Sequence, residues 1–204
     1  MLDSPRSMAS ILVVCTGNIC RSPIAEGFLR RSFTDRGVDI DVSSAGTAGL
    51  DGSEAMPESV AAALERGADV QSHRARRLLQ SMVEEADVVV GMAAEHRDGI
   101  VAMVPEAAER AFTLKELVRL LESLGPADPD ASVEENVANR VAQASAARAS
   151  GAAQNLYDLD VPDPLGLGVE SYRAVAWELD EWCGRLVDGL LGASTSADLR
   201  TAEG

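Results

Sequence analysis

The chain has 204 residues, 46% of them hydrophobic, which is enough for one domain with a substantial core. Its 18 basic and 33 acidic residues give a formal net charge of −15, which argues against non-specific nucleic-acid binding. There is no apolar run of the ~18 residues that a membrane span needs, the first ten residues lack the apolar stretch of a secretory signal, and three cysteines do not make a disulfide framework, so a cytoplasmic protein without membrane insertion is expected.

Residues 1–8 are expected to form a flexible N-terminus. The apolar, β-branched run Ile11-Leu12-Val13-Val14 then predicts a buried strand over 10–14. It leads into Cys15-Thr16-Gly17-Asn18-Ile19-Cys20-Arg21-Ser22-Pro23. Gly17 and Asn18 accept tight or left-handed backbone geometry, and Ser22-Pro23 reads as a helix start. The loop's N–H groups can therefore converge at a helix N-terminus, where partial positive charge favours an anion. Arg21 adds a planar fork suited to two oxygens of a phosphate-like group. The same field favours the thiolate form of Cys15, which makes it a ready nucleophile. A sulfur beneath a bound oxyanion points to a covalent thiophosphate intermediate. A buried cysteine with an incidental arginine downstream is the plainer alternative. The surrounding strand, Gly-Asn, Ser-Pro and helix signals stand against it.

Further along, strands are expected near 40–44, 87–91 and 110–113. Helices are expected over 23–36, 56–66, 76–84, 94–103, 114–124 and 169–191. This alternation predicts an α/β fold with a parallel sheet and helices on both faces, the loop lying at the carboxyl end of the first strand. Residues 125–157 interrupt the pattern, opening with the loop signal Gly125-Pro126-Ala127-Asp128-Pro129-Asp130. Val133, Val137, Val141 and Ala144 then recur at near-helical spacing, so an extra helix, packed weakly, or a mobile flap is expected there. A solvent-exposed insertion without a role is the reading put first. Cys183 reads as core, and residues 193–204 as a disordered tail.

The segment Val14 to Glu26 resembles the signature of the low-molecular-weight protein tyrosine phosphatases. The resemblance continues through Ser44-Ala45-Gly46-Thr47, Ser72-His73-Arg74-Ala75-Arg76, Ala86-Asp87-Val88-Val89-Val90 and Pro162-Asp163-Pro164. It implies a phosphatase domain over 9–192 with a four-stranded sheet, and catalysis by Cys15, Arg21 and Asp163. Asp163, in its Asp-Pro context, would be the general acid, with Asp158 and Asp160 as nearby rivals. Phosphate would be held by Thr16, Gly17, Asn18, Ile19, Cys20, Arg21 and Ser22. Ser22 would assist the sulfur leaving group, or cap the helix, or both. Asn18, Ser44 and His73 would support the loop's backbone. Cys20 would be a redox partner for Cys15, with a small packing residue as the even alternative. The implied partners are a phosphorylated protein substrate and a cognate tyrosine kinase. No metal or cofactor is called for.

The family pattern also fails in places. Leucines replace aromatics in Pro164-Leu165-Gly166-Leu167-Gly168, and Ala48-Gly49-Leu50-Asp51-Gly52 carries no aromatic either. Lost stacking there is worth ~0.5–1.5 kcal/mol beyond area burial. Protein arginine phosphatases resemble this chain around Phe112-Thr113-Leu114-Lys115-Glu116 but carry threonine where Ile19 stands. An apolar residue at that place favours an aryl ester over a guanidinium, so phosphotyrosine is the expected substrate. A thioredoxin-coupled arsenate reductase would need a downstream cysteine pair, and only Cys183 follows. A non-catalytic phosphate-binding module would not need Cys15, Arg21 and Asp163 together.

Overall fold

Four parallel strands form one sheet in the order β2-β1-β3-β4: β1 (Ser10–Cys15), β2 (Asp41–Gly46), β3 (Val88–Gly91) and β4 (Ala111–Thr113). This is a computed structural model, and it describes residues 8–154 and 156–193. The expected behaviour of the two chain ends therefore falls largely outside the described residues.

From Ile11 to Cys15 β1 is apolar, and both of its faces are buried there. On one face Ile11, Val13, Val88, Val90 and Phe112 pack against helices α1 (Arg21–Thr34), α2 (Pro57–Leu64), α5 (Leu114–Glu122), α6 (Val133–Ala149) and α7 (Val169–Leu191). On the other, Leu12, Val14, Val89 and Ala111 meet Val83 of α3 (Gln80–Glu85), Ile100 of α4 (Ala94–Met103) and Ala107 of a short 3₁₀ turn. The alternation of these sets along each strand is the period-2 geometry of a pleated sheet.

Most element boundaries shift by one or two residues from expectation, and two of the differences bear on the loop after β1. α1 starts at Arg21, not Pro23. Pro23 is tolerated in the first turn, whose N–H groups have no intrahelical partner. The expected helix over 76–84 shortens to 80–85, because Arg76 to Leu78 run extended beside the end of β2. Gly46 N donates to Arg76 O at 2.9 Å, and Leu78 N donates to Gly46 O at 2.8 Å.

The expected extra helix is present as α6, and its apolar side packs into the main core. Ser132 and Glu135 form a capping box at the start of α6. Val137, Val141 and Ala144 are buried in the main core. Arg140 is 5% exposed and donates to three carbonyls, of Gly189 (2.8 Å), Gly125 (2.7 Å) and Leu121 (2.9 Å). It thereby ties α6 to α7 and to the end of α5. Arg140→Ala leaves these acceptors without their donor, and is expected to lower stability by about 2–4 kcal/mol in urea unfolding, with faster proteolysis within 125–154.

Candidate functional site

The carbonyls of five consecutive loop residues are all bonded outward. Cys15 O accepts from Thr47 N (2.9 Å), Thr16 O from Ala48 N (2.9 Å), Gly17 O from Leu50 N (3.2 Å) and Ile19 O from Met56 N (2.9 Å). Asn18 O lies 2.8 Å from His73 Nε2. The described peptides are trans, and a trans unit points its N–H opposite its C=O. The N–H groups of residues 16 to 20 are therefore turned to the inner side of the loop. Asn18 N confirms the direction by donating to Cys15 Sγ at 3.3 Å.

Asn18 makes this turn possible. Its φ of 56° lies in the left-handed region, which asparagine tolerates better than most residues. Its side chain is fully used. Nδ2 donates to Ser22 Oγ (2.9 Å) and Ser44 Oγ (2.8 Å), and Oδ1 accepts from Arg76 N (2.9 Å). Ser44 Oγ in turn donates to Glu26 Oε2 at 2.5 Å, and His73 Nδ1 stands 4.0 Å from the same oxygen. Burial, the largest influence, pushes the His73 pKa down. Gly46 lets β2 approach closely, since a Cβ there would sit 2.5 Å from Thr16 O and 2.9 Å from Asn18 N.

Cys15 is 2% exposed, and its Sγ lies 2.9 Å from Ser22 Oγ. Arg21 is nearly as buried. Its Nη1 donates to Val161 O (3.1 Å), its Nη2 pairs with Asp163 Oδ2 (2.6 Å), and its Nε has no protein partner. Asp163, 142 residues away in sequence, is held there because Val161 N donates to Met92 O at 2.7 Å, just beyond β3. The two rival carboxylates are engaged elsewhere. Asp160 Oδ1 accepts from Ala94 N at the start of α4 (2.8 Å), and Asp158 Oδ2 pairs with Lys115 Nζ (3.4 Å).

Cys15, Cys20 and Cys183 are all free thiols. Cys20 faces the hydroxyls of Ser59 and Tyr172, and burial pushes its pKa up to about 11. Burial also raises Tyr172, to about 12. Cys183 is fully buried in α7, as read from the sequence. Ile19 is 7% exposed and packs over Gly17.

Several residues that the sequence did not single out complete the site. Glu26 lies inside the signature and was available to be found. His96 and Tyr172 had only rarity as a signal, the chain having two histidines and two tyrosines. Val161 contributes a backbone carbonyl, which no sequence pattern reveals. Among the described residues no cluster of three or more metal-ligating side chains occurs.

The model of the family described as low molecular weight phosphotyrosine protein phosphatase matches residues 10–149. A protein-arginine-phosphatase of Geobacillus stearothermophilus is 32% identical over 180 residues, spanning 88% of this chain and 95% of the relative. A probable low molecular weight protein-tyrosine-phosphatase, EpsP, of Ralstonia solanacearum is 38% identical over 53% of this chain and 72% of its own. The crystal structure of a low molecular weight protein tyrosine phosphatase from T. tengcongensis superposes with a TM-score of 0.67 at 31% identity, covering 89% of this chain and 99% of the other.

If the close approach of β2 shapes the loop, Gly46→Ala should weaken inorganic-phosphate binding by about 10-fold or more in calorimetry while leaving the far-ultraviolet circular dichroism unchanged.

Proposed function

The chain belongs to the low-molecular-weight phosphotyrosine protein phosphatase family, and from that premise we propose that it hydrolyses phosphotyrosine in proteins through a cysteinyl-phosphate intermediate whose parts are Cys15, Arg21 and Asp163. The observation that carries this assignment is the inward-turned loop, with Cys15 Sγ against Asn18 N at 3.3 Å and Arg21 bridged to Asp163 at 2.6 Å.

In the first step Cys15 Sγ attacks phosphorus, the S–P bond forms and the P–O bond to the phenol breaks. The loop's amides and Arg21 hold the equatorial oxygens, where transition-state charge develops. A phosphoryl oxygen takes the place of Asp163 Oδ2 on Arg21 Nη2 and reaches the unpartnered Nε. The released carboxylate takes up a proton from solvent, turns to the leaving oxygen and passes that proton to it, a contribution of typically 10²–10⁴-fold. In the second step Asp163 takes a proton from water as it attacks phosphorus, and the S–P bond breaks. Ser22 Oγ, 2.9 Å from the sulfur, stabilises the departing thiolate. Asn18, Ser44 and His73 keep the loop in this shape.

The partners are phosphorylated proteins, with a cognate tyrosine kinase as the source of the phosphate. Among the described residues no helix is long and apolar enough to cross a membrane; the cytoplasmic location is proposed from the composition alone. Burial holds the Cys20 thiol at about 11, which disfavours its thiolate as the group that resolves an oxidised Cys15.

Cys15→Ser should abolish turnover of 4-nitrophenyl phosphate, and substantial residual activity would remove Cys15 as nucleophile. Asp163→Asn should lower kcat by about 10²-fold or more while sparing phosphate inhibition. An unchanged kcat would pass the acid role to Asp158 or Asp160.

The long match to an arginine phosphatase favours one second reading, hydrolysis of phosphoarginine. Ile19 stands against it, because an apolar side chain offers a guanidinium no acceptor. The unmodified protein should prefer phosphotyrosine peptides, and Ile19→Thr should shift kcat/KM toward phosphoarginine peptides. Preference for phosphoarginine by the unmodified protein would reverse the substrate assignment.

A further inference from the structure

His96 sits in the first turn of α4 and is 1% exposed. Burying an imidazole without partners is unfavourable, so its hydrogen bonds report what it is for. Nε2 lies 3.0 Å from Thr16 Oγ1 and 3.5 Å from Glu95 Oε1, while Nδ1 is buried with no protein partner. A carboxylate only accepts. A buried bare nitrogen is also easier to tolerate than a buried N–H without an acceptor. Both facts put the proton on Nε2, donating to Thr16 Oγ1.

The same hydroxyl oxygen accepts from Arg21 Nη2 at 3.4 Å. A hydroxyl has two lone pairs and one proton. With both lone pairs engaged by donors, its O–H is turned away from them, at the exposed first residue of the loop. It flanks Arg21 Nη2, the guanidinium atom that here holds an anionic oxygen of Asp163 at 2.6 Å.

We infer that the Thr16 hydroxyl is an additional ligand for the phosphoryl oxygen held by Arg21 Nη2, and that His96 is the positioning residue that aims it. This rests on the phosphatase reading above. The hydroxyl is one donor beyond the loop's amides and the arginine. His96 acts only through Thr16 and touches no substrate.

The charges around His96 agree with this. Burial, the largest influence, and then Arg21 push its pKa down, while Glu95, Asp163 and Asp160 pull in the opposite direction. Protonation would place a second cation beside Arg21 and an N–H without an acceptor at Nδ1.

The experiment is a double-mutant cycle on Thr16 and His96, read as the inhibition constant of inorganic phosphate and kcat/KM for 4-nitrophenyl phosphate. Thr16→Val should weaken phosphate inhibition and lower kcat/KM by about 10-fold each, the size of a hydrogen bond to a charged group. Thr16→Ser, which keeps the hydroxyl, should recover most of that loss. His96→Leu should cost nearly as much as Thr16→Val alone and almost nothing on top of it. His96→Gln, whose amide keeps an N–H near Nε2, should recover activity in the Thr16 background only. Should His96→Leu not fold, His96→Asn, whose amide lies at the Nδ1 end, takes its place. Thr16→Val within about two-fold of the unmodified protein on both readouts overturns the ligand assignment. An undiminished His96→Leu loss in the Thr16→Val background overturns the positioning role. Failure of the phosphatase reading would look different, as turnover in the unmodified protein that survives Cys15→Ser.

Discussion

Five consecutive peptide units between Cys15 and Cys20 must turn their carbonyls outward, and the rest of the molecule is arranged to hold them so. A loop left to itself would solvate both its N–H and its C=O groups. Here the segment after β2 supplies N–H donors at Thr47, Ala48, Leu50 and Met56, and His73 takes the remaining carbonyl. The left-handed residue at the centre, Asn18, is secured through three side-chain hydrogen bonds to Ser22, Ser44 and Arg76. Left-handed geometry is unfavourable for most residues, and it persists where the surroundings over-determine it. The result is a ring of inward N–H dipoles at the N-terminus of α1, fixed before any anion arrives.

On the function proposed above, that constraint would let an acidic protein hold a phosphate. The net charge of −15 is spread over the whole chain and screened within ~8–10 Å at physiological salt. The loop's donors act by contact, in a place where Cys15 and Arg21 are almost wholly buried. Low local polarity strengthens each of those interactions. Overall charge therefore bears on how partners approach, while the loop decides what is bound.

The segment that carries Asp163 is positioned by a second set of contacts. Val161 is its anchor, bonded to Met92 on one side and to Arg21 on the other. Asp160 ties the segment to the start of α4, and Lys115 and Arg119 of α5 hold Asp158 and the Tyr157 carbonyl. α6, which precedes this segment, is locked into the core by Arg140. The interruption in the strand-helix pattern is thus filled by a helix tied to α5 and α7.

The sequence by itself determined the shape of the loop after β1, because Cys15, Gly17, Asn18, Arg21, Ser22 and Pro23 lie within one local turn whose residue types dictate its geometry. It also determined the sheet, since β1 and β3 are apolar on both faces, and the helices α4 and α7, which begin and end where their pattern predicted. The Asp-Pro context set Asp163 apart from Asp158 and Asp160, but only the tertiary structure decided that its carboxylate faces Arg21 while the other two bond elsewhere. It alone packed α6, within the presumed exposed insertion, against the core, since α6 has a narrow apolar stripe and a buried arginine whose partners lie on other elements. It alone brought His96 to Thr16 and Val161 to Arg21. Local residue types carry information about local backbone, and contacts across 80 or 140 residues exist only once the chain has packed.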